Sequence, residues 1–200
     1  MDRNELHIIA DNREQKPYLF DGASIYEGTT VEAGSLSVGD YSVKGLEHLV
    51  SVERKSLSDL VGCLAGSRER FVRELERSRA LESFCVIVEG SWQELAQGQY
   101  RSQLRPQAAC QSVAAFMARM RVPFWFCGSR PAAEYCCWSF LRQYTQGRLQ
   151  ELKTVERALG SPAGACARGM DNHKAGEPRD VLDAFGAPAE AYPDGMEDRR

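Results

Sequence analysis

Short apolar runs separated by turn residues dominate the first part of the chain. Residues 6–10 (LHIIA) form one such run, and β-branched residues recur at 29–34 (TTVEAG), 40–43 (DYSV) and 48–54 (HLVSVER), with glycines between them. Runs of this length and composition predict buried β-strands. We expect the last three runs to be neighbouring strands of one sheet, arranged as a meander.

The period of the pattern changes after Lys55. Apolar residues then recur at helical spacing in 57–64 and 68–82, and strand-like runs return at 84–90 (FCVIVEG) and 123–127 (PFWFC). A strand-rich first part followed by alternating helices and strands predicts an α/β sandwich with a mixed sheet. The remaining predicted helices are residues 91–97, about 103–120, Pro131 to about Gln146, and 148–159.

Composition divides the chain into a body and a tail. The whole chain has 200 residues and a net charge of −3, and the acid excess lies in residues 160–200, which are rich in Gly, Ala and Pro. Such a segment buries too little apolar surface to offset its chain entropy. We therefore expect a folded domain over residues 1–147, a short helix over 148–159 and a disordered acidic tail that could dock a protein partner.

The sequence also indicates in which cellular compartment the protein is found. No window approaches the roughly 18 consecutive apolar residues of a membrane span, and the start (MDRNELHIIADNRE) lacks the layout of a signal peptide. The seven cysteines are an odd number without a CxxC pair, which is typical of reduced thiols. We expect a cytoplasmic protein with no membrane partner.

Three carboxylates carry the candidate chemistry: Asp11 after the first strand, Asp40 in VGDYSV and Glu53 in VERK. If their strands are neighbours, these groups converge on one edge of the sheet, and Lys55 shares a face with Glu53 because residues two apart in a strand point the same way. Such a cluster is stable only if a cation neutralises it, and carboxylate oxygens suit Mg²⁺ or Mn²⁺.

This cluster predicts hydrolysis of a phosphodiester. Lys55 would orient or deprotonate a metal-bound water, or stabilise charge on the phosphate. Acidic and basic residues make up 26% of the chain, so this spacing also occurs by chance, and ordinary ion pairs are the alternative.

Three segments of the sequence resemble the nuclease domain of the XPF family of structure-selective DNA endonucleases: IIADNRE (8–14), VGDYSV (38–43) and VERKSLSDLVGCL (52–64). The signature of that family is Gly-Asp, a variable gap, and then Glu-Arg-Lys followed by Asp after three further residues. A looser likeness extends over residues 6–147. The matching positions are Gly39, Asp40, Glu53, Arg54, Lys55 and Asp59, with Asp11, Arg13 and Glu14 on an upstream Asp-x-Arg-Glu motif.

The resemblance implies a restriction-endonuclease-like fold, which is a three-layer α/β sandwich with a central mixed sheet. It implies a cut in DNA that depends on Mg²⁺ or Mn²⁺, made at branched, flapped or distorted sites during repair or recombination. Asp11, Asp40 and Glu53 would be the metal ligands, and Lys55 would be the catalytic base or the group that positions the attacking water.

The other motif residues keep two interpretations each. Arg13 and Arg54 suit phosphate contact, because a guanidinium grips a phosphate with paired hydrogen bonds. Alternatively, they form ion pairs with Glu14 or Asp59 that shape the site. Asp59 would be a supporting residue that caps the following helix or holds Arg54 or Lys55 in place.

The resemblance also bears on assembly. In the XPF family the region that corresponds to residues 103–146 makes a dimer interface, so we expect a homodimer or heterodimer through these helices. The helix-hairpin-helix and helicase modules of that family have no visible counterpart, which favours a standalone domain of bacterial or phage type, associated with the nucleoid if bacterial. The alternatives are a non-catalytic DNA-binding or scaffold subunit and a sequence-specific nuclease with the same core.

Overall fold

The structure of the protein is a computed structural model that describes residues 5–159, so the predicted disordered tail lies outside the described residues. Six strands and five α-helices make up this part of the chain. The strands are β1 (Leu6–Asp11), β2 (Thr29–Gly34), β3 (Tyr41–Val43), β4 (Val50–Lys55), β5 (Ser83–Val88) and β6 (Phe124–Phe126). The helices are α1 (Leu57–Ala65), α2 (Arg68–Arg77), α3 (Trp92–Gln97), α4 (Pro106–Met120) and α5 (Arg130–Leu159).

The strands form one mixed sheet in the order β2-β1-β3-β4-β5-β6. β1 is parallel to β2 and antiparallel to β3, whereas β4 is antiparallel to β3 and parallel to β5, which is parallel to β6. The predicted meander was wrong in one respect, because β2 pairs with β1 and not with β3. No residue of β2 is fully buried, while nearly all of β1 is, so β1 takes an interior position and β2 an edge.

Helices cover both faces of the sheet. On one face α1 to α4 enclose a core that includes Leu60, Phe71, Val113 and Phe116 together with Val86 of β5. The alternate residues of β5 point to the opposite face, where α5 and an aromatic segment form a second core. That core includes Tyr18, Phe20, Tyr26, Tyr41, Cys85, Ile87, Trp138 and Leu141. The predicted three-layer α/β sandwich with a central mixed sheet is therefore confirmed.

The helix α5 differs from the prediction of two separate helices. It runs without interruption from Arg130 to Leu159 and passes through Gly147. A glycine inside a helix costs only about 1 kcal/mol relative to alanine, which is too little to end a helix that is anchored elsewhere. Ala133, Cys137 and Leu141 supply that anchorage in the second core. Within residues 5–159, no helix has both the length and the hydropathy that crossing a membrane requires.

Candidate active site

Asp40 directly precedes β3 and lies at the edge of the sheet where β1 and β4 end. Because β3 is antiparallel to β1 and β4, the residue before β3 lies beside the ends of both neighbours. The Asp40 N–H donates to the Val52 carbonyl (2.8 Å), and the Asp40 carbonyl accepts from the Asp11 N–H (2.8 Å). The Asp40 carboxylate accepts a hydrogen bond from the backbone N–H of Arg54 (2.8 Å). The backbone thus fixes this carboxylate at the end of β4.

Glu53 and Lys55 lie on one face of β4, as the period of a strand predicts. Their side chains form an ion pair that faces the α1–α2 side of the sheet, where the Lys55 ammonium lies 5.5 Å from the centre of the Phe71 ring. Glu53 is only 2% exposed, and the Lys55 side chain is 14% exposed. The pair therefore lies at the bottom of the site, with the lysine nearer the opening.

Burial controls the charges of this group. It raises the pKa of Asp40 to about 6, and the hydrogen bond from Arg54 and the charge of Lys55 offset it only in part. Burial and the nearby charge of Asp40 raise the pKa of Glu53 well above its ordinary range. For Lys55, burial is the largest single cause and lowers the pKa, but the charge and hydrogen bond of Glu53 together with the charges of Glu74 and Asp40 outweigh it, so the net shift is upward. Two crowded carboxylates share one lysine, and a further cation would stabilise them.

Asp11 lies at the same edge of the sheet, but its carboxylate is hydrogen-bonded to Arg13 and to the backbone of Leu36. Its carboxylate accepts hydrogen bonds from the Arg13 guanidinium (2.6 and 3.0 Å) and from the Leu36 N–H (2.8 Å). Burial acts to raise the pKa of Asp11, but these hydrogen bonds outweigh it and lower the pKa. The structure thus brings together two of the three predicted metal ligands, Asp40 and Glu53, and pairs the third with Arg13.

The two converging carboxylates fit a hard divalent cation. Mg²⁺ is commonly held in proteins by one or two carboxylates, with water and substrate phosphate completing its coordination. Asp40 and Glu53 are carboxylates of this kind, and burial raises the pKa of both, so a bound cation would stabilise their charged forms. In the described part of the chain, no group of three or more Asp, Glu, His or Cys side chains is arranged to hold a metal by itself. Water or substrate would have to supply the other ligands.

Arg54 points to the opposite face of β4 and is held by two carboxylates. Its guanidinium donates two hydrogen bonds to Glu89 (2.8 Å each) and two weaker ones to Glu14 (3.2 Å each). Of the two roles left open for Arg54, the structure contains the ion pair with Glu14. The Arg54 side chain is 13% exposed, which leaves it little free surface for a phosphate.

Asp59 contacts neither Arg54 nor Lys55 through a hydrogen bond or ion pair in the described structure. Ser56 caps the N-terminus of α1 by accepting from the Asp59 N–H (3.1 Å), and the Ser56 hydroxyl donates to the Asp59 carboxylate (2.7 Å). Asp59 therefore stabilises the first turn of the helix that follows the Glu-Arg-Lys motif.

The sequence did not single out Glu89, Arg130 or Glu74. Glu89 directly follows β5 and also accepts hydrogen bonds from Arg130 (2.9 Å) and the Tyr18 hydroxyl (3.0 Å). A usable signal existed, because a glutamate ends the clearest strand pattern (FCVIVEG) and parallel strands end on the same edge. Glu74 of α2 adds negative charge near Asp40, Glu53 and Lys55.

The site opens into a cleft of about 880 Å³. Its lining has six basic side chains against four acidic ones, and the buried carboxylates of Asp11 and Glu53 pair with two of the basic ones. Among the basic side chains, Arg13 has 74% of its side chain exposed. The basic residues are Arg13, Lys16, Arg54, Lys55, Arg70 and Arg130, and the acidic ones are Glu14, Asp40, Asp59 and Glu89.

The glycine before Asp40 is required by the fold. Gly39 has φ +79°, and a Cβ on it would overlap the Ser51 Oγ and lie 3.0 Å from the Val52 carbonyl. Ser51 cannot easily yield, because its hydroxyl is buried and bonds to the carbonyls of Val38 (2.8 Å) and Tyr41 (3.0 Å).

Gly39→Ala is therefore expected to lower the free energy of unfolding by about 3 kcal/mol or more, from a left-handed backbone combined with overpacking. The matched control is Gly45→Ala. Gly45 also has a positive φ (+82°), but a Cβ on it would meet open space, so this substitution should lower the free energy of unfolding by only about 1 kcal/mol. Urea unfolding of both variants measures the difference. Equal losses would show that contact with Ser51 does not matter.

Comparisons with known proteins agree with this geometry. The ERCC4 domain matches residues 10–136, which is more than half of the chain. XPF from Aeropyrum pernix has the same fold, with a TM-score of 0.56 and 20% sequence identity over 76% of this chain and 71% of that chain. XPF from Aeropyrum pernix in complex with DNA gives a TM-score of 0.54 and 22% identity over 72% of this chain and 66% of that chain. No curated protein matches the sequence.

The matched range contains every position named above for the motif. It includes Asp11 and Arg13, Asp40, and the Glu53 to Lys55 segment, and it extends through β6 into α5. At 20–22% identity the structural likeness establishes the fold, which is restriction-endonuclease-like, and the domain match establishes the family. The chain therefore belongs to the ERCC4 domain family, the family of the XPF nucleases.

Proposed function

We propose that the protein is an endonuclease that uses Mg²⁺ or Mn²⁺ to cut DNA at branched, flapped or distorted sites, in repair or recombination. The observation that carries the proposal is the pair of crowded carboxylates, Asp40 and Glu53, beside Lys55 at the bottom of a cleft whose lining has more basic than acidic side chains. The DNA complex of XPF from Aeropyrum pernix, which has the same fold, supports DNA as the substrate.

The side chains divide the proposed work among them. Asp40 and Glu53 would hold the cation, which when bound supplies a Lewis acid for the phosphate and lowers the pKa of water. Lys55, which pairs with Glu53, would orient or deprotonate the attacking water. Arg13 and Lys16 line the cleft, and we assign them contacts to the phosphates beside the cut.

Two further parts of the proposal concern partners. Exposed apolar side chains lie on the segment 103–146, at Met117, Trp125 and Tyr135, and this supports a homodimer or heterodimer through this region. We also propose that the acidic tail, residues 160–200, docks a protein partner, and that the enzyme acts where cellular DNA lies.

A cleavage panel tests the proposal. End-labelled duplex, flap, fork and single-stranded DNA of matched sequence would be incubated with the protein in Mg²⁺, Mn²⁺, Ca²⁺ or excess chelator. We expect cuts in the flap or fork with Mg²⁺ and Mn²⁺ and none in chelator, because the site lacks enough positive charge of its own to stabilise the transition state. Ca²⁺ should permit binding without turnover.

Each alternative has its own result in this panel. Robust hydrolysis in chelator would overturn the metal mechanism. Cuts at one fixed sequence in plain duplex would indicate the sequence-specific nuclease. Binding of branched DNA without any cleavage, in either metal, would indicate the non-catalytic subunit.

A further inference from the structure

We infer that Glu89 is a positioning residue of this site, which acts through Arg54 and Arg130 and touches no substrate; the inference rests on the proposed nuclease function. Its carboxylate accepts four hydrogen bonds: two from Arg54 (2.8 Å each), one from Arg130 (2.9 Å) and one from the Tyr18 hydroxyl (3.0 Å). These donors come from β4, from the start of α5 and from the segment after β1. One carboxylate therefore connects three separate parts of the cleft wall.

The buried charges explain why an acid is needed at this position. The side chains of Arg54, Glu89 and Glu14 are 13%, 11% and 9% exposed, so an unpaired guanidinium here would be costly. The paired hydrogen bonds between Arg54 and Glu89 also set the orientation of the guanidinium plane. Burial alone would raise the pKa of Glu89, but Arg54, Tyr18 and Arg130 outweigh it and lower the pKa.

Arg54 carries the effect of Glu89 to the catalytic carboxylate. The backbone N–H of Arg54 donates to the Asp40 Oδ2 (2.8 Å), so the position of this residue in β4 sets the position of the Asp40 carboxylate. The Arg54 side chain, held by Glu89 on the other face, keeps the end of β4 in place. A residue that never meets the DNA thereby controls the geometry of the proposed cation site.

Arg130 carries a second effect to the basic wall of the cleft. Its Nη2 donates to the carbonyls of Lys16 (2.7 Å) and Pro17 (3.1 Å), and its guanidinium lies 4.7 Å from the centre of the Tyr18 ring. Arg130 thus holds the segment between Asp11 and Tyr18 at its C-terminal end. That segment bears Arg13 and Lys16, the residues to which we assign phosphate contacts.

Glu89→Gln tests the inference, because it keeps the shape of the side chain and removes the charge. We expect kcat on the preferred branched DNA to fall by about 10- to 100-fold, the usual loss when a supporting partner of a metal site is changed. KM and the DNA Kd in Ca²⁺ should stay unchanged or decrease, because the cleft loses a negative charge that repels phosphate. Glu89→Asp, which keeps the charge on a shorter side chain, should recover part of kcat.

An exposed acid provides the matched control. Glu32 forms a surface ion pair with Lys44 (2.8 Å) on β2, so Glu32→Gln should leave kcat and KM unchanged. Circular dichroism and thermal melts of all variants would identify any loss of folded protein. Unfolding would lower both the fraction of protein that binds DNA and the rate. A positioning role for Glu89 would lower kcat while all of the protein still binds DNA.

A spectroscopic readout separates this inference from the proposed activity. The Arg54 Nε–H donates to Glu89 at 2.8 Å, so in ¹⁵N-labelled protein its signal should be slow to exchange with water. Glu89→Gln should shift this signal and speed its exchange, because an amide oxygen accepts a hydrogen bond more weakly than a carboxylate oxygen does. Arg54→Lys assigns the signal. If the wild type cleaves no DNA but shows the protected signal, the proposed function fails and the anchoring of Arg54 stands. Wild-type kcat in Glu89→Gln, or a defect confined to KM, would overturn the inference alone.

Discussion

Replacement of Asp40 by asparagine is expected to lower kcat for DNA cleavage by a factor on the order of 10³ or more, since a cation held between carboxylates contributes several kcal/mol to the transition state. The neutral amide weakens that cation site. The fold should not suffer, because an amide oxygen can still accept the Arg54 N–H that the carboxylate accepts at 2.8 Å. Burial raises the pKa of Asp40, so the charged form opposes folding, and we expect an equal or higher melting temperature without metal.

The comparison needs a control aspartate and two measurements. Asp21 is exposed and lies outside the lining of the cleft, so Asp21→Asn should keep the wild-type rate and stability. Single-turnover cleavage in Mg²⁺ and thermal melts in chelator would be recorded for both variants. A near wild-type rate in Asp40→Asn would remove Asp40 from the site. A large fall in melting temperature would instead favour a structural ion pair as the role of this carboxylate.

Lys55→Met is expected to reduce cleavage to a level close to that of Asp40→Asn. The ammonium pairs with Glu53 at the bottom of the cleft. In the proposed mechanism it would reach both the water held by the cation and the phosphate to be cut. Methionine fills the same space beside the Phe71 ring but carries neither a charge nor a proton. DNA binding in Ca²⁺ should persist, because the exposed basic wall of the cleft is unchanged.

Lys55→Arg separates the two roles that remain for this lysine. If the amine takes a proton from water, arginine should be almost inactive, because a guanidinium does not release its proton near neutral pH. We expect that result, because a cation bound by Glu53 would offset the negative charge that raises the pKa of Lys55. Partial activity in Lys55→Arg with none in Lys55→Met would show that the charge alone suffices. Lys44→Met is the control, because Lys44 pairs with Glu32 on the surface. Substantial cleavage by Lys55→Met would exclude Lys55 from the mechanism.

Local patterns predicted the elements better than their arrangement. The strands and helices lie within a few residues of the predicted positions, because the alternation in β4, the continuous apolar run of β5 and the helical period after Lys55 depend only on near neighbours. The position of β2 beside β1 depends instead on a comparison of burial between strands that are distant in sequence. The continuity of α5 through Gly147 depends on packing that outweighs a weak local preference.

The same distinction holds at the site. Glu53 and Lys55 could be paired from the sequence because a strand places them on one face. Whether Asp11 would face Asp40 or Arg13 could not be predicted, since both partners lie within reach and hydrogen-bond geometry decides between them. The contact of Glu89 with Tyr18 joins residues 71 positions apart, and no local pattern shows it.

The helix α5 also affects how the protein is made. Ala133, Cys137 and Leu141 complete the core on the face where Tyr18 and Tyr41 lie, so this face stays open to water until the helix docks. During synthesis, the first strands leave the ribosome well before these residues. The nascent chain must therefore wait with an uncovered aromatic surface until residue 141 has emerged, and this interval is when chaperones have most reason to bind it.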